Sequence, residues 1–391
     1  MREAVVVAYG RTAVGKAPRG ILSKTRPEEY AAQVVKAVVE KVPQLNPAEI
    51  EDLVLGCATP EAEQGFNMGR IVALRAGLPF DVSGQTVNRF CSSGLQAIAT
   101  AANSIVAGQS DVMLAGGVET MSLLPMGGHN ISPNPYLIAN SDSYMSMGMT
   151  AERVAEKYGV TREMQDAMAV ESHRRAGQAQ SEGKFADEII PVDAVKSTTN
   201  EKGFASNKTV LFNNDEGVRP GTTMEDLAKL KTVFKANGTV TAGTSSQMSD
   251  AAGIVLLMSR EKAEALGIKP IAVFRMFAVS GLDPQYMGLG PIKAIPKALE
   301  KAGLTLKDID LIELNEAFAA QAITCINELG LNKDIINVNG GALALGHPLG
   351  ATGGILTCKL LSEMSRRKSK YGLVSMCIGV GMGATGIYEM C

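Results

Sequence analysis

The chain has 391 residues, 46% hydrophobic and 20% charged, enough for two or three domains with large cores. Its formal net charge of -2 removes the bulk electrostatic case for a nucleic-acid or anionic-membrane partner. Aromatics make up 5% and Trp is absent, which argues against a base-stacking surface.

The N-terminal run MREAVVVAYGRTAVG is apolar for only a few residues before Gly10 and Arg11. That is the pattern of a strand at 4–8, not of a signal peptide. Residues 28–42 have helical periodicity, Asp52–Gly56 reads as a short buried strand, and 85–88 as another. Residues 92–107 form a helix with Leu95, Ile98, Ala102 and Ile105 on one face. Residues 111–116 are again a strand. This alternation predicts a mainly parallel sheet covered by helices.

After about Ser122 the texture changes. Pro125, Gly127, Gly128, Pro133 and Pro135 break the pattern, and polar helices at 151–158 and 162–182 are mixed with charged, irregular segments. Regular structure returns at 251–258. A weak internal repeat links KAVVEKVPQLNPAEIEDLVLG, from Lys36, to KALEKAGLTLKDIDLIEL, from Lys297. Both read as a helix, a turn with a leucine, an acidic-Ile-acidic step and a strand. The simplest account is an N-terminal half at 1–121 completed by about 247–270, an inserted loop domain at 122–246, and a C-terminal half at 271–391.

No apolar stretch approaches the length of a membrane span. The six cysteines contain no CxxC pair and read as free thiols of a reducing compartment. A cytoplasmic location is expected. Three scattered histidines give no metal-ligand spacing, so no metal is expected.

Cys91 stands in VNRFCSSG, between the 85–88 strand and the following helix. Free N–H groups and the helix dipole there favour a thiolate. Ser92 and Ser93 are expected to cap the first turn, and Gly94 to admit another backbone. A buried inert thiol is the alternative. His347 stands in Gly346-His347-Pro348-Leu349-Gly350, on a turn between a short strand at 335–338 and a helix running to about 365. His129, in a Gly-rich loop, and His173, on a polar helix, lack that frame. Cys377 follows the strand 372–376 and precedes Ile-Gly-Val-Gly-Met-Gly. Residues 381–386 fit GxGxxG, but too little chain follows for the helix a dinucleotide site requires. The glycines instead offer N–H groups to a developing oxyanion. Asn315-Glu316 follows the strand 310–314, either as a ligand-facing pair at the carboxyl edge of a sheet or as a helix cap. Cys91 with His347 has the composition of a nucleophile and its base. A second thiol is more than a hydrolase needs, and suggests sulfur-ester chemistry with a proton moved on carbon.

The segments CSSG, GGVETMS, NEAFAAQ, NVNGGALALGHPLGATG and CIGVGMG, in this order and over about residues 3–390, resemble the thiolase family. The resemblance implies an α/β thiolase fold, two similar βαβαβαββ-type halves with a loop domain inserted in the first. It implies that Cys91 is the acylated nucleophile, His347 its activator and Cys377 the acid/base on the acetyl methyl carbon. His347 with a water held by Asn315 would form one oxyanion hole, and the N–H groups of Cys91 and Gly379 the other. Coenzyme A and acyl-CoA would be substrates, with no resident cofactor. Arg219, Phe234, Ala242 and Ser246 match positions along the pantetheine and nucleotide path. Met147, Met287, Ala317 and Phe318 match positions around the thioester. Each of these eight also suits ordinary packing. Val380, Ala13 and Ser146 depart from the residues usual at their positions.

The text VNRFCSSGLQAI resembles degradative members, which cleave 3-ketoacyl-CoA with CoA in fatty-acid β-oxidation. An acetoacetyl-CoA thiolase is the alternative, and a non-catalytic scaffold subunit an alternative of another class. The resemblance also implies a homodimer. The stretch 123–146 is short and rich in Pro, Gly and Asn, which suits an irregular loop and not the long hairpin of tetrameric members.

Overall fold

The structure, a computed structural model, describes residues 2–199 and 205–391. The first half runs β1 (Ala4–Arg11), β2 (Gly15–Lys16), α1 (Pro27–Glu40), β3 (Asp52–Gly56), α2 (Met68–Arg75), β4 (Ser83–Val87), α3 (Ser93–Val106) and β5 (Val112–Thr120). Then come α4 (Pro135–Asn140), α5 (Met147–Tyr158), α6 (Arg162–Ser181), the hairpin β6 (Val192–Thr199) and β7 (Ala205–Phe212), and α7 (Met224–Ala228). β8 (Ser249–Ser259) returns to the first half and pairs with both β1 and β5. After α8 (Arg260–Ala265) the second half runs β9 (Ala272–Gly281), α9 (Gly290–Ala302), β10 (Leu311–Leu314), α10 (Ala319–Leu329), α11 (Ala342–Leu345), α12 (Thr352–Arg367), β11 (Tyr371–Ile378) and β12 (Met382–Met390). Residues 200–204 of the expected insertion lie outside the described residues.

Helix ends follow local chemistry. α1 opens on Pro27 with Glu28 and Glu29 in its first turn: the proline lacks an N–H that would have no partner there, and the acids oppose the helix dipole. Gly303 closes α9 at φ 68°, a left-handed turn that a side chain would strain. The sequence repeat is matched by a repeated order of elements. α1 and α9 each lead through one 3-10 turn, Pro47–Glu49 and Leu306–Asp308, into β3 and β10.

The main sheet has the order β10-β11-β12-β9-β1-β8-β5-β3-β4, with β2 beside β8. β3 is parallel to β4 and β5, and β10 to β11. The other pairings in this sheet are antiparallel. The expected mainly parallel sheet is therefore mixed. Helical crossovers give parallel neighbours, but the short link from β11 to β12 permits only an antiparallel hairpin.

The strand expected at 335–338 is absent. A single bridge joins Ile336 to Ile312, and Asn337 turns into the left-handed region at φ 44°. Its side chain replaces the missing ladder: Leu314 N–H donates to Asn337 Oδ1 at 2.9 Å, and Asn337 Nδ2 donates to Leu314 O at 2.8 Å. Asparagine tolerates that backbone conformation because its amide can bond locally.

Three apolar layers hold the halves. One lies under α1 and α2, and another under α9 and α10. The central layer joins Leu95, Ile98 and Ile105 of α3 to Leu356, Leu360 and Leu361 of α12, between strands of both halves. The insertion is anchored by a buried charge. Arg11 donates to Glu188 at 2.9 Å and to Asp215 at 2.8 and 3.1 Å, and all three are buried.

Candidate active site

Cys91 is positioned by a strained turn. β4 ends at Val87, Asn88 Oδ1 accepts from Phe90 N–H at 2.8 Å, and Phe90 has φ 43°. Ser93 Oγ accepts from Arg89 N–H at 2.9 Å and donates to Phe90 O at 2.7 Å. The serines therefore do not cap α3 as expected. Ser93 locks the turn before it, and Ser92 Oγ is buried without a partner. Gly94 does meet another backbone: a Cβ there would lie 2.7 Å from Gly350 O.

Burial pushes the Cys91 thiol up to about 11, against the pull of the N–H groups of Gly379 and of Cys91 itself. The expected thiolate is thus not the resting form. A helix start contributes roughly 0.3–1 kcal/mol, whereas full burial shifts a pKa by up to about 3–5 units. The two N–H groups remain aimed at the sulfur, where an oxyanion would form next to it.

His347 is buried, and burial lowers its imidazole to about 4, so it is neutral at physiological pH. Thr352 Oγ donates its one proton to Pro348 O at 3.0 Å. A hydroxyl that donates there can accept, across the 2.6 Å contact, a proton carried on His347 Nδ1. This leaves the lone pair on Nε2. Asn315 Nδ2 approaches that nitrogen at 3.3 Å, and Asn315 Oδ1 is buried without a protein partner. Asn315 is no helix cap, because α10 starts at Ala319.

Cys377 lies at the end of β11, fully buried. Burial, then the nearby Cys91 and Cys325 sulfurs, push its thiol well above the usual range. The GxGxxG-like glycines lie in β12 and its hairpin, with no following helix. In that hairpin Val380 has φ 64°.

Cys91, His347, Cys377 and Gly379 line one cavity of about 1020 Å³. So do Met147, Arg219, Phe234, Ala242, Ser246, Met287, Ala317 and Phe318. Asn315 sits just behind, through its contact with His347. The insertion and the second half are stitched together along this wall: Ser246 N–H donates to Ala317 O at 2.9 Å, and Phe234 meets Phe318 edge to face at 6.1 Å.

Sequence reasoning did not single out several residues that line the cavity or support those that do. His173 is buried on α6, held neutral near 4 chiefly by burial, and its Nδ1 accepts from Arg219 N–H at 3.2 Å. Thr352 orients His347; its position five residues on, at the start of a helix, was the available signal. Lys16, Asn88 and Phe90 also line the cavity. Their spacing from Cys91 and His347 gave no cue for Lys16.

Residues 4–261 match the thiolase N-terminal domain and residues 268–390 the thiolase C-terminal domain. The chain belongs to the thiolase family. It is 54% identical to a 3-ketoacyl-CoA thiolase of Bacillus subtilis (strain 168), over all of both chains. It is 48% identical to the peroxisomal 3-ketoacyl-CoA thiolase B of Mus musculus, covering 98% of this chain and 90% of the mouse protein. Among solved structures, this thiolase matches the Bacillus anthracis acetyl-CoA acetyltransferase with a TM-score of 0.89 and 38% identity, over 100% of this chain and 99% of that one.

The resting state derived above is a neutral thiol beside a neutral imidazole. Alkylation of Cys91 by iodoacetamide, followed by peptide mass spectrometry, should accelerate steadily through about pH 8 and 9, as expected for a thiol still protonated there. A rate already level below about pH 7 would instead reveal a preformed thiolate–imidazolium pair.

Proposed function

We propose that this thiolase cleaves 3-ketoacyl-CoA with CoA to give acetyl-CoA and a shortened acyl-CoA, the thiolytic step of fatty-acid β-oxidation. The observation that carries the reading is the meeting of two buried thiols and one neutral imidazole in a single cavity. His347 Nε2 takes the Cys91 proton, and the sulfur attacks the 3-keto carbon. The oxyanion faces the N–H groups of Cys91 and Gly379. The bond between C2 and C3 breaks, and the acetyl-CoA carbanion takes the proton of Cys377. Its enolate oxygen is served by His347 and a water held by Asn315. Incoming CoA gives its thiol proton to the Cys377 thiolate and attacks the acyl-Cys91 carbonyl. Cys91 leaves and recovers its proton from His347. The eight further cavity residues named above hold CoA and the acyl chain; the methionines among them adapt to chain shape. CoA and acyl-CoA are substrates in this scheme, with no resident cofactor or metal.

The roles of Cys377 and His347 separate in half-reactions. Cys377→Ser should slow Claisen chemistry by about 10²–10⁴-fold while enzyme acylation by labelled acetyl-CoA proceeds. His347→Ala should impair both. Equal loss of acylation in the two variants would contradict the scheme.

The match to an acetyl-CoA acetyltransferase favours one second reading, the same chemistry on the shortest chain. A kcat/KM series over 3-ketoacyl-CoA substrates of increasing length separates the two. A β-oxidation enzyme should improve beyond four carbons, whereas an activity confined to acetoacetyl-CoA would select the second reading.

A homodimer in the cytoplasm completes the proposal. No helix among the described residues is long and apolar enough to cross a membrane. β4 is an edge strand, and an uncovered edge is a template for pairing with another chain. Phe66 and Phe80 beside it are 97% and 85% exposed. A two-fold copy pairing β4 with β4 would cover them. Residues 123–146 carry a six-residue helix and no strand, which supports a dimer over a tetramer. Light scattering should report a dimer of 41.1 kDa chains, and Phe66→Asp with Phe80→Asp should weaken it. A stable tetramer, or a dimer indifferent to both changes, would overturn this assembly.

A further inference from the structure

Cys91 and His347 come from opposite halves, and the backbone packs closely where Gly94, three residues beyond Cys91, meets Gly350, three beyond His347. One side chain outside the proposed chemistry bonds the His347 turn directly and the Cys91 turn through Ala58. Glu119, near the end of β5, is 1% exposed. Its Oε2 accepts from Gly350 N–H at 2.7 Å and from Ala58 N–H at 2.8 Å. Gly350 lies three residues beyond His347. Ala58 leads to the nucleophile: Asn88 Nδ2 donates to Ala58 O at 3.1 Å, and Asn88 Oδ1 accepts from Phe90 N–H at 2.8 Å. Gln64 Nε2 donates to Glu119 Oε1 at 2.7 Å, and Gln64 Oε1 accepts from Thr120 N–H at 2.6 Å.

The surroundings leave Gly350 no slack. A Cβ on Gly350 would lie 2.7 Å from both Ala58 N and Glu119 Oε2, and one on Gly117 would lie 2.0 Å from Gly350 O. A buried carboxylate is costly unless its oxygens are satisfied; burial raises this carboxyl, and the backbone and amide donors work against that rise.

We propose that Glu119 is a positioning residue for catalysis: one carboxylate oxygen fixes the distance between the Cys91 turn and the His347 turn across the seam of the two halves. The proposal rests on the acyl-transfer reading above. It adds a residue that touches no substrate and acts through Gly350 and Ala58. Glutamate length matters, because aspartate is one methylene too short to reach both N–H groups. Glutamine keeps the acceptor oxygen on both and gives up the bond from Gln64 and the weak one from the Cys57 thiol on the other oxygen.

The test compares Glu119→Asp, Glu119→Gln and Gln64→Ala with the parent enzyme, well below each protein's unfolding temperature. A misplacement on the order of 1 Å costs about 10²-fold in rate. Glu119→Asp should therefore lose about 10²-fold in kcat with the KM for CoA unchanged. Glu119→Gln should recover most of that loss. Gln64→Ala should lose about tenfold, as a loosened anchor. If Glu119→Asp does not fold, Gln64→Ala and Glu119→Gln decide. A second readout needs no substrate. Glu119 is the last of the influences that raise the Cys91 thiol, after burial, so iodoacetamide should alkylate Cys91 faster in Glu119→Gln than in the parent. Normal kcat in folded Glu119→Asp, or in Gln64→Ala when the former does not fold, would overturn the proposal. So would an alkylation rate in Glu119→Gln equal to the parent's. A parent enzyme that forms no acetyl-Cys91 would instead count against the acyl-transfer reading, while the alkylation comparison would still judge Glu119.

Discussion

Everything at this site depends on two backbone turns touching without side chains between them. Cβ atoms on Gly94 and Gly117 would both strike Gly350 O, one on Gly353 would strike Leu95 N, and one on Gly354 would strike Gly253 O. α3 and α12 therefore begin against each other, in the layer where the two halves meet. The 3-10 turn just before α3 carries Cys91, the first turn of α12 carries Thr352, and the loop just before α12 carries His347. An added methyl at these points must move backbone, and close-packed interiors transmit such shifts directly to neighbouring groups. The glycines keep the nucleophile and the base at one end of the seam.

Burial then decides the electrostatics. Cys91, His347 and Cys377 are each held neutral by desolvation. A dry site keeps resting charge off the sulfur and imidazole, and strengthens every dipole that meets charge when it develops. The N–H groups of Gly379 and Cys91 are such dipoles, already fixed by the β11–β12 hairpin and the Phe90 turn. Both supports contain non-glycine residues at positive φ, Phe90 at 43° and Val380 at 64°. Strain of this kind persists only where surrounding structure over-determines the backbone. The lock by Ser93 and Asn88 provides that at Phe90.

The insertion is built into the site. Arg11 ties β1 to Glu188 and Asp215. Glu316 accepts from Ser172 Oγ at 2.7 Å and from Asn337 Nδ2 at 2.8 Å. The residue after Asn315 is thereby joined to α6 of the insertion and to the Asn337 plug beside β10. Ser245 and Ser246 then run against Phe318 and Ala317. The cavity wall drawn from the insertion is thus pinned to the half that supplies His347 and Cys377.

Much of this was legible in the sequence because it is local. The 3.6 periodicity placed α1 and α3, a short apolar run placed β3, the repeat paired α1–β3 with α9–β10, and glycine frames marked Cys91, His347 and Cys377. Short motifs keep their chemistry whatever surrounds them. What the sequence left open depends on distant neighbours. The mixed sheet depends on where β8 and β12 return. The missing strand at 335–338 depends on an asparagine side chain finding Leu314. The neutral Cys91 thiol depends on how completely both halves and the insertion shut out water. Glu119 lies in a motif that names no partner; among its donors, Ala58, Gln64 and Gly350 stand 61, 55 and 231 residues away along the chain. Sequence determines what each residue can donate, accept or bury. Only the tertiary structure decides which of those groups meet, because contact between remote segments is set by packing of the whole core.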